Sequence, residues 1–487
     1  MYLLLSLLVI AAIFSARVSS KFGMPMLIAF LGIGMIVGSD GLALIEFNNA
    51  ELARRVGDLL LIFIIFDGGF QTKRAIFESV KGPALTLATF GVIVTAAVLG
   101  GLIHLITKLD LLTSMMIGSI LSSTDAAAVI MATRQTPIRR NLATTLDVES
   151  AANDPMAILL TATFIAAIKG QDGSGWLPLT LGLIWSFVAG VGIGWVTCKI
   201  GRFLFDRLES ENRGHYFVLG IAIPLLAYGA AEAVGANGII AVFFGGYWFG
   251  NTDFAFKRGV GHFLDGVASF SNVALFLMLG VLANPSGFGG IWPQAVLISV
   301  LMILVARPVA VLLSTAFFKF DWRERTFLIW GGIKGAVPIV LATYPAANGL
   351  DPDEHVFSIV FFAVLMTCLV QGTTMGPMAK LLKLTVPLKK KASYTVELYA
   401  TKRCDTDLFE VHIEEGAVSI GKLIKDLQLP SSVLISSIVR EDKIMAPRGD
   451  TMIELGDVLF LLSPVKSIEE VTAQLTSPDD DEDPVPA

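Results

Sequence analysis

Two short runs set oxygen-bearing side chains inside otherwise apolar stretches: Ser122-Ser123-Thr124-Asp125 and Glu149-Ser150-Ala151-Ala152-Asn153-Asp154-Pro155. On a helix, Ser150 and Asp154 lie four residues apart and share a face. Hard alkali cations prefer oxygen ligands, and neither run holds a cysteine or a histidine. Two such segments on neighbouring helices could replace part of the hydration shell of a monovalent cation. The plain reading of Pro155 is a helix start, because proline suits a first turn.

Other ionisable side chains also fall in apolar surroundings: Asp67, Asp125, Asp154, Arg307 and Lys334, with Glu149 at a segment edge. At the centre of a membrane helix each would cost about 2.5–3.5 kcal/mol. Pairing is the bland solution, and it suits Glu149 with Lys334. It fails for the rest, because Asp67, Asp125 and Asp154 then share a single spare cation, Arg307. Excess carboxylate at membrane depth is what a cation or proton site needs. A second interrupted stretch is Trp330-Gly331-Gly332-Ile333-Lys334-Gly335-Ala336-Val337-Pro338, whose glycines and proline disfavour a continuous helix. Broken helices in corresponding positions of two halves point to a transporter's binding site. Glycine packing against neighbouring helices is the competing explanation.

The elements that must position these groups follow from composition. The 487 residues are 54% hydrophobic and 16% charged, well below the charge of a soluble domain. The net charge of −6 comes largely from Asp479-Asp480-Asp481-Glu482-Asp483, so nothing marks a nucleic-acid binder. Cys198, Cys368 and Cys404 are scattered singly, with no metal or disulfide spacing. A span needs about 20 apolar residues. That ruler marks segments near 2–17, 22–38, 57–71, 83–106, 111–131, 148–168, 177–198, 215–233, 236–250, 267–283, 294–317, 325–345 and 355–376. The fold class is therefore an all-α polytopic membrane protein with about 13 transmembrane helices. They form two inverted repeats joined through 177–198, with broken crossing helices in 111–131 and 325–345.

Charge orients the spans. Alternate loops carry Arg17/Lys21, Lys73/Arg74/Lys81, Arg134/Arg139/Arg140, Lys199/Arg202/Arg207/Arg213, Lys257/Arg258, Lys319/Arg323/Arg325 and Lys380/Lys383/Lys389/Lys390/Lys391, while the opposite loops hold Arg54, Arg55, Lys108 and Lys169. By the positive-inside rule the N-terminus lies outside and the C-terminus in the cytoplasm. The first stretch lacks a basic start, so it reads as a spanning helix and not a signal peptide.

Together these residues resemble the monovalent cation:proton antiporter-1 family, which contains bacterial sodium or potassium/proton antiporters. The matching pieces are Thr124-Asp125, Glu149-Ser150-x-x-Asn153-Asp154, Val305-Ala306-Arg307-Pro308, Gly331-Gly332-x-x-Gly335, Phe66-Asp67-Gly68-Gly69 and Val370-Gln371-Gly372, spread over residues 1–385. The resemblance implies that Asp154 is the essential carboxylate, binding the cation or a proton. Thr124 and Ser150 would add oxygen ligands, Asp67 would contribute directly or through water, and Asn153 and Asp125 would shape the crossing. The Asn153-Asp154 pair implies exchange of one cation for one proton without net charge. Glu149 would pair with the broken helix's cation, commonly Arg in the family and Lys334 here. The resemblance also implies a homodimer in a bacterial inner membrane, a core domain rocking against a dimerisation domain, and no cofactor.

After residue 392 the pattern changes. Tyr394–Ala400, Leu408–Ile413, Val433–Val439 and Val458–Leu462 read as strands and Ile420–Leu427 as a short helix. A last helix begins at Ser467, with Glu470 completing a capping box. Residues 393–475 resemble the C-terminal subdomain of potassium-conductance regulatory (RCK) proteins, and 476–487 form an acidic tail expected to be disordered. Such domains imply dimerisation and, in some proteins, a nucleotide or cyclic dinucleotide ligand. No phosphate-cradling loop is present, so a module without a ligand stands equally. The expected function is a potassium/proton antiporter, with sodium the alternative, potassium being favoured by that regulatory resemblance. A potassium channel is disfavoured because Gly245-Gly246-Tyr247-Trp248 lacks a selectivity-filter pattern. A membrane hydrolase is disfavoured because no His-Glu-x-x-His or Gly-x-Ser-x-Gly run occurs.

Overall fold

Backbone polar groups at membrane depth must be satisfied within the protein, and helices satisfy most of them internally. The computed structural model describes residues 2–21, 26–45, 47, 49–107, 109–125, 128–129, 133, 136–170, 176–208, 210–283, 285–351, 355–386, 406–414, 416–441 and 443–476. The chain divides into two compact units, Met1–Asp253 with Gly259–Leu388, and Phe254–Arg258 with Lys389–Ala487.

The larger unit is helical. In chain order it holds α1 (Tyr2–Lys21), α2 (Met26–Val37) and α3 (Ala50–Gln71), then α4 (Arg74–Thr86), which continues through a π-turn at Leu87–Gly91 into α5 (Val92–Thr107). Next come α6 (Leu111–Ile120), α7 (Arg140–Ile168), α8 (Trp176–Arg207), α9 (Arg213–Ala233), α10 (Gly238–Gly250) and α11 (Lys257–Leu282). A second π-turn, Met302–Ala306, joins α12 (Trp292–Leu301) to α13 (Arg307–Ser314). They are followed by α14 (Trp322–Trp330), α15 (Ala336–Ala347) and α16 (His355–Thr367), which passes through a π-turn at Cys368–Gly372 into α17 (Thr373–Leu381). Among the described residues, 7 helices are long and apolar enough to cross a membrane. Every segment marked by the ruler carries a helix.

Two expectations about helix limits change. The segment read as 57–71 is part of a 22-residue helix whose N-cap, Asn49, accepts a hydrogen bond from the Leu52 N–H. Pro155 does not start its helix. It lies inside α7, which begins at Arg140, so the Ala151 carbonyl four residues earlier receives no N–H from it.

The two halves repeat one design. In each, a long helix with a π-turn (Leu87–Gly91 or Met302–Ala306) precedes a broken helix. The first break is non-helical at 121–125 after α6, and the second at 331–335 between α14 and α15.

Helix packing relies on small residues that let backbones approach. Between α3 and α10, a Cβ on Gly69 would sit 2.4 Å from the Phe243 carbonyl oxygen, one on Gly246 2.4 Å from that of Phe66, and one on Gly250 2.0 Å from that of Phe70. Gly34 and Gly280 make the same close passage between α2 and α11, and Gly100 and Gly118 between α5 and α6.

The smaller unit has an antiparallel sheet in the order β1-β4-β2-β3, made of β1 (Thr406–His412), β2 (Leu434–Arg440), β3 (Lys443–Met445) and β4 (Val458–Pro464). Helix α18 (Ile468–Thr476) buries Val471 and Leu475 with Ile438, Leu459 and Leu461. Three expected strands are present, and β3 is an addition. The expected helix over Ile420–Leu427 is a correction: only Ile424–Asp426 forms a single 3-10 turn. Its backbone pairs elsewhere, since the N–H groups of Gly421, Ile424 and Lys425 donate to the carbonyls of Ile453, Thr451 and Gly449. Tyr394–Ala400 and the tail after Thr476 lie outside the described residues, as do Cys404, Lys108 and Arg134.

The α3–α10 seam yields a paired test. Gly250→Ala should lower the melting temperature of the purified protein by several degrees, since overpacking costs about 1–3 kcal/mol and the clashing atom is backbone. Gly68→Ala, on α3 and with nothing within 4 Å of its added carbon, should leave it unchanged.

Candidate cation site

The two breaks cross, and their backbones bond directly: the Asp125 N–H donates to the Ile333 carbonyl at 2.8 Å. Unwound backbone at this depth leaves carbonyls without helical partners, and several of them here have a specific donor. Gln371 Nε2 donates to Trp330 O (3.1 Å), Arg307 Nη2 to Leu328 O (3.0 Å), Cys368 Sγ to Lys334 O (3.1 Å) and Lys334 Nζ to Ser122 O (3.4 Å). A π-turn immediately precedes or contains three of these donors, Arg307, Cys368 and Gln371. The inserted residue changes which way the following side chains face, a device common at functional sites.

Asp125 sits against the start of α15: a Cβ on Gly335 would fall 2.6 Å from Asp125 Oδ2. Its other oxygen accepts from the Ala128 N–H at 3.3 Å, so it also caps the chain beyond its own break. A negative group at a helix N-terminus and a positive one at a C-terminus offset the helix dipoles. Asp125 does this at α15, and Lys334, reaching Ser122 O, does it at the end of α6. Asp125 was expected to shape the crossing, and its contacts run to Gly335 and to the Ala128 N–H.

Against this frame lies α7. Ser123 Oγ donates a short hydrogen bond to Asp154 Oδ1. Asn153 Nδ2 donates to Thr124 Oγ1 at 2.6 Å, and Thr124 Oγ1 meets Ser150 Oγ at 3.0 Å. Ser123, Thr124, Ser150 and Asn153 are buried, whereas Asp154 is partly open. Among the described residues Asp154 Oδ2 accepts no hydrogen bond. The structure thus brings Asp154, Ser150, Asn153 and Thr124 together as expected, and adds Ser123. Ser123 lay in the first oxygen-bearing run, but its neighbours drew the assignment.

Glu149 departs from expectation. Its partner is Arg307, not Lys334: Nη1 and Nη2 donate to the two carboxylate oxygens at 2.5 and 3.1 Å, with Glu149 only 1% exposed and Arg307 6%. The planar guanidinium offers a fork matched to a carboxylate, which a lysine ammonium lacks. Gly332 makes room for it, since a Cβ there would lie 2.8 Å from Arg307 Nε. Asp67 is likewise not joined to Asp154. Its Oδ2 accepts from Gln71 Nε2 (2.6 Å), which also reaches Asp265 Oδ1 (3.4 Å), and its Oδ1 is buried without a partner.

Removing one partner of a buried ion pair costs about 3–5 kcal/mol. Arg307→Ala should therefore unfold or strongly destabilise the protein in a thermal melt, and Arg307→Lys should recover only part of the loss. Gly335→Ala should abolish exchange, because the Asp125 carboxyl occupies the added carbon's place.

Residues 6–381 match the family described as sodium/hydrogen exchanger, transmembrane, and residues 408–476 match the TrkA-C domain. The K(+)/H(+) antiporter NhaP2 of Shewanella sp. (strain ANA-3) is 35% identical over 477 residues, covering 97% of this chain and 82% of that protein. The K(+)/H(+) antiporter NhaP of Alkalimonas amylolytica is 32% identical over 479 residues, 98% of this chain and 83% of its own. The sodium proton antiporter MjNhaP1 from Methanocaldococcus jannaschii superposes with a TM-score of 0.68 at 22% identity, over 78% of this chain and 97% of that one, which shows a common fold. The chain belongs to the sodium/hydrogen exchanger family of multi-pass membrane cation/proton antiporters and carries a TrkA-C domain.

Proposed function

We propose that this protein is a secondary active potassium/proton antiporter that exchanges one K⁺ for one proton at Asp154 by alternating access. The observation that carries the reading is the Asp154 carboxylate, with one oxygen held by Ser123 and the other accepting no donor among the described residues, beside the clustered oxygens of Thr124, Ser150 and Asn153. Burial favours the protonated carboxyl and a bound cation favours the carboxylate, so the group holds one or the other. The neighbouring charges are already committed: Glu149 to Arg307, Asp125 to the start of α15, and Lys334 to the end of α6. One exchangeable charge makes the cycle electroneutral. Potassium as cargo is supported by the NhaP2 and NhaP relatives. A relative named Na(+)/H(+) antiporter NhaH, 25% identical over 377 residues, supports sodium as the second reading.

The loop charges support a bacterial inner membrane location with the N-terminus outside and the C-terminus in the cytoplasm. The TrkA-C domain supports a homodimer whose rate is set by a cytoplasmic regulatory domain spanning residues 393–475, with a nucleotide or cyclic dinucleotide as its candidate ligand.

Proteoliposome exchange tests the reading. Adding K⁺ should dissipate an imposed pH gradient at a rate indifferent to a voltage clamp, and Asp154→Asn should abolish it; retained exchange in that variant refutes the site. Because protons compete for the same oxygen, the apparent KM for K⁺ should rise as pH falls, by up to about tenfold per pH unit once Asp154 is mostly protonated. Deleting residues 393–487 should change regulation and leave transport, measured in the same assay.

A further inference from the structure

We propose that Arg54, Asp58 and Tyr344 form a latch that ties α15 to α3 and must open and close in every transport cycle. The inference rests on the alternating-access reading above. It starts from α15, which begins at Gly335 against Asp125 and is therefore the site's own element. Near the far end of α15, Tyr344 Oη donates to Asp58 Oδ1 of α3 at 2.5 Å. Arg54, one turn earlier on α3, holds the other oxygen of Asp58 at 3.1 Å, and its guanidinium lies 5.6 Å from the centre of the Tyr344 ring. One arginine thus grips both members of the tyrosine–carboxylate pair. Beneath them Gly57 meets the Val340 side chain, 3.0 Å from where a Cβ would sit.

A fixed tie is the alternative, and the contrast between the two faces of α3 argues against it. Toward α10, α3 is seated backbone on backbone at Gly69, Gly246 and Gly250, a seam with no slack. Toward α15 the Tyr344 hydroxyl, the Arg54 guanidinium and the Val340 side chain make contacts that can part without breaking a helix. The other end of α3 is untied. Gln71 bonds to Asp67 and to Asp265 on α11, and among the described residues no hydrogen bond runs from Asp67 or Gln71 to α7, which carries Asp154. α3 is therefore tied to α15 at residues 54–58 and not hydrogen-bonded to α7 at 67–71, the asymmetry of a transporter closed toward one side. Asp58 is 9% exposed, so the carboxylate is sheltered while the latch holds.

Two measurements test this on the full chain in proteoliposomes. The added carbon at Gly57 lies within disulfide reach of position 340, so the Gly57→Cys/Val340→Cys pair can be locked by oxidation. Oxidation should slow K⁺-driven proton exchange at least about tenfold, and reductant should restore it. A fully oxidised protein exchanging at the reduced rate overturns the latch and leaves the antiport reading intact. The second measurement needs no transport. Val340 is fully buried, so a Val340→Cys thiol reacts with a soluble maleimide only when α3 and α15 separate, with the protein lacking that substitution as background. Tyr344→Phe removes the hydroxyl and keeps the ring over Arg54. A hydrogen bond to a carboxylate shifts a two-state balance about tenfold, so labelling should accelerate by about that factor. An unchanged labelling rate overturns the latch. Accelerated labelling in a protein without cation-driven exchange would sink the antiport reading instead.

Discussion

Crossing two unwound backbone segments inside a membrane protein is the constraint on which the rest of the structure depends. Each break frees carbonyls and N–H groups that lipid cannot satisfy. The identities of distant residues follow from that need. Gln371, Cys368 and Arg307 reach in from other helices to donate to Trp330, Lys334 and Leu328, and Lys334 answers the Ser122 carbonyl of the opposite break. The Asp125 N–H to Ile333 carbonyl bond then joins the two segments at their crossing. Gly335 and Gly332 are glycine because Asp125 and Arg307 occupy the space of a side chain.

Once the frame is satisfied, the allocation of charge is what supports the proposal that one carboxylate carries the cargo. Glu149 and Arg307 neutralise each other in a two-point fork. Asp125 and Lys334 sit at opposite helix ends, where each offsets a half-helix dipole. Asp154 has no such assignment: among the described residues its one donor is a neutral hydroxyl, which orients the carboxylate without neutralising it. A cation or a proton supplies what Ser123 does not. The same allocation underlies the proposed one-for-one exchange, since the other charged groups at the crossing are engaged in holding it.

The frame's existence was legible in the sequence, and much of its wiring was not. Excess carboxylate, glycine around Lys334 and hydroxyls before Asp125 marked both breaks, because such residues are costly in an apolar helix unless they serve one another. Spacing on a single helix also placed Ser150 with Asp154. Which cation Glu149 takes depends on how three separate elements meet, and no spacing rule reaches across them. The guanidinium fork and the Gly332 notch decide it for Arg307. Asp67 shares its charge and its apolar setting with Asp154, yet it lies on α3 facing α11, a difference invisible before the helices are packed. In the smaller unit, Ile420–Leu427 has helical composition. It pairs instead with residues 449–453, because a distant backbone offered better partners than its own turn.

The two kinds of helix seam separate what is fixed from what can move. Where glycines bring backbone against backbone, as between α3 and α10 or α2 and α11, a shift of a few tenths of an ångström meets a carbonyl oxygen. Such seams transmit displacement as a rigid piece. Where side chains mediate, as between α3 and α15, the contact can part without breaking a helix. The element on the soft side of that seam is the half-helix whose first residue touches Asp125. A displacement of α15 relative to α3 therefore moves the crossing as a unit, and with it Asp154 through Ser123 and Thr124. The unwound backbone that makes the site also makes α15 a separate body, short enough to be held or released by one tyrosine.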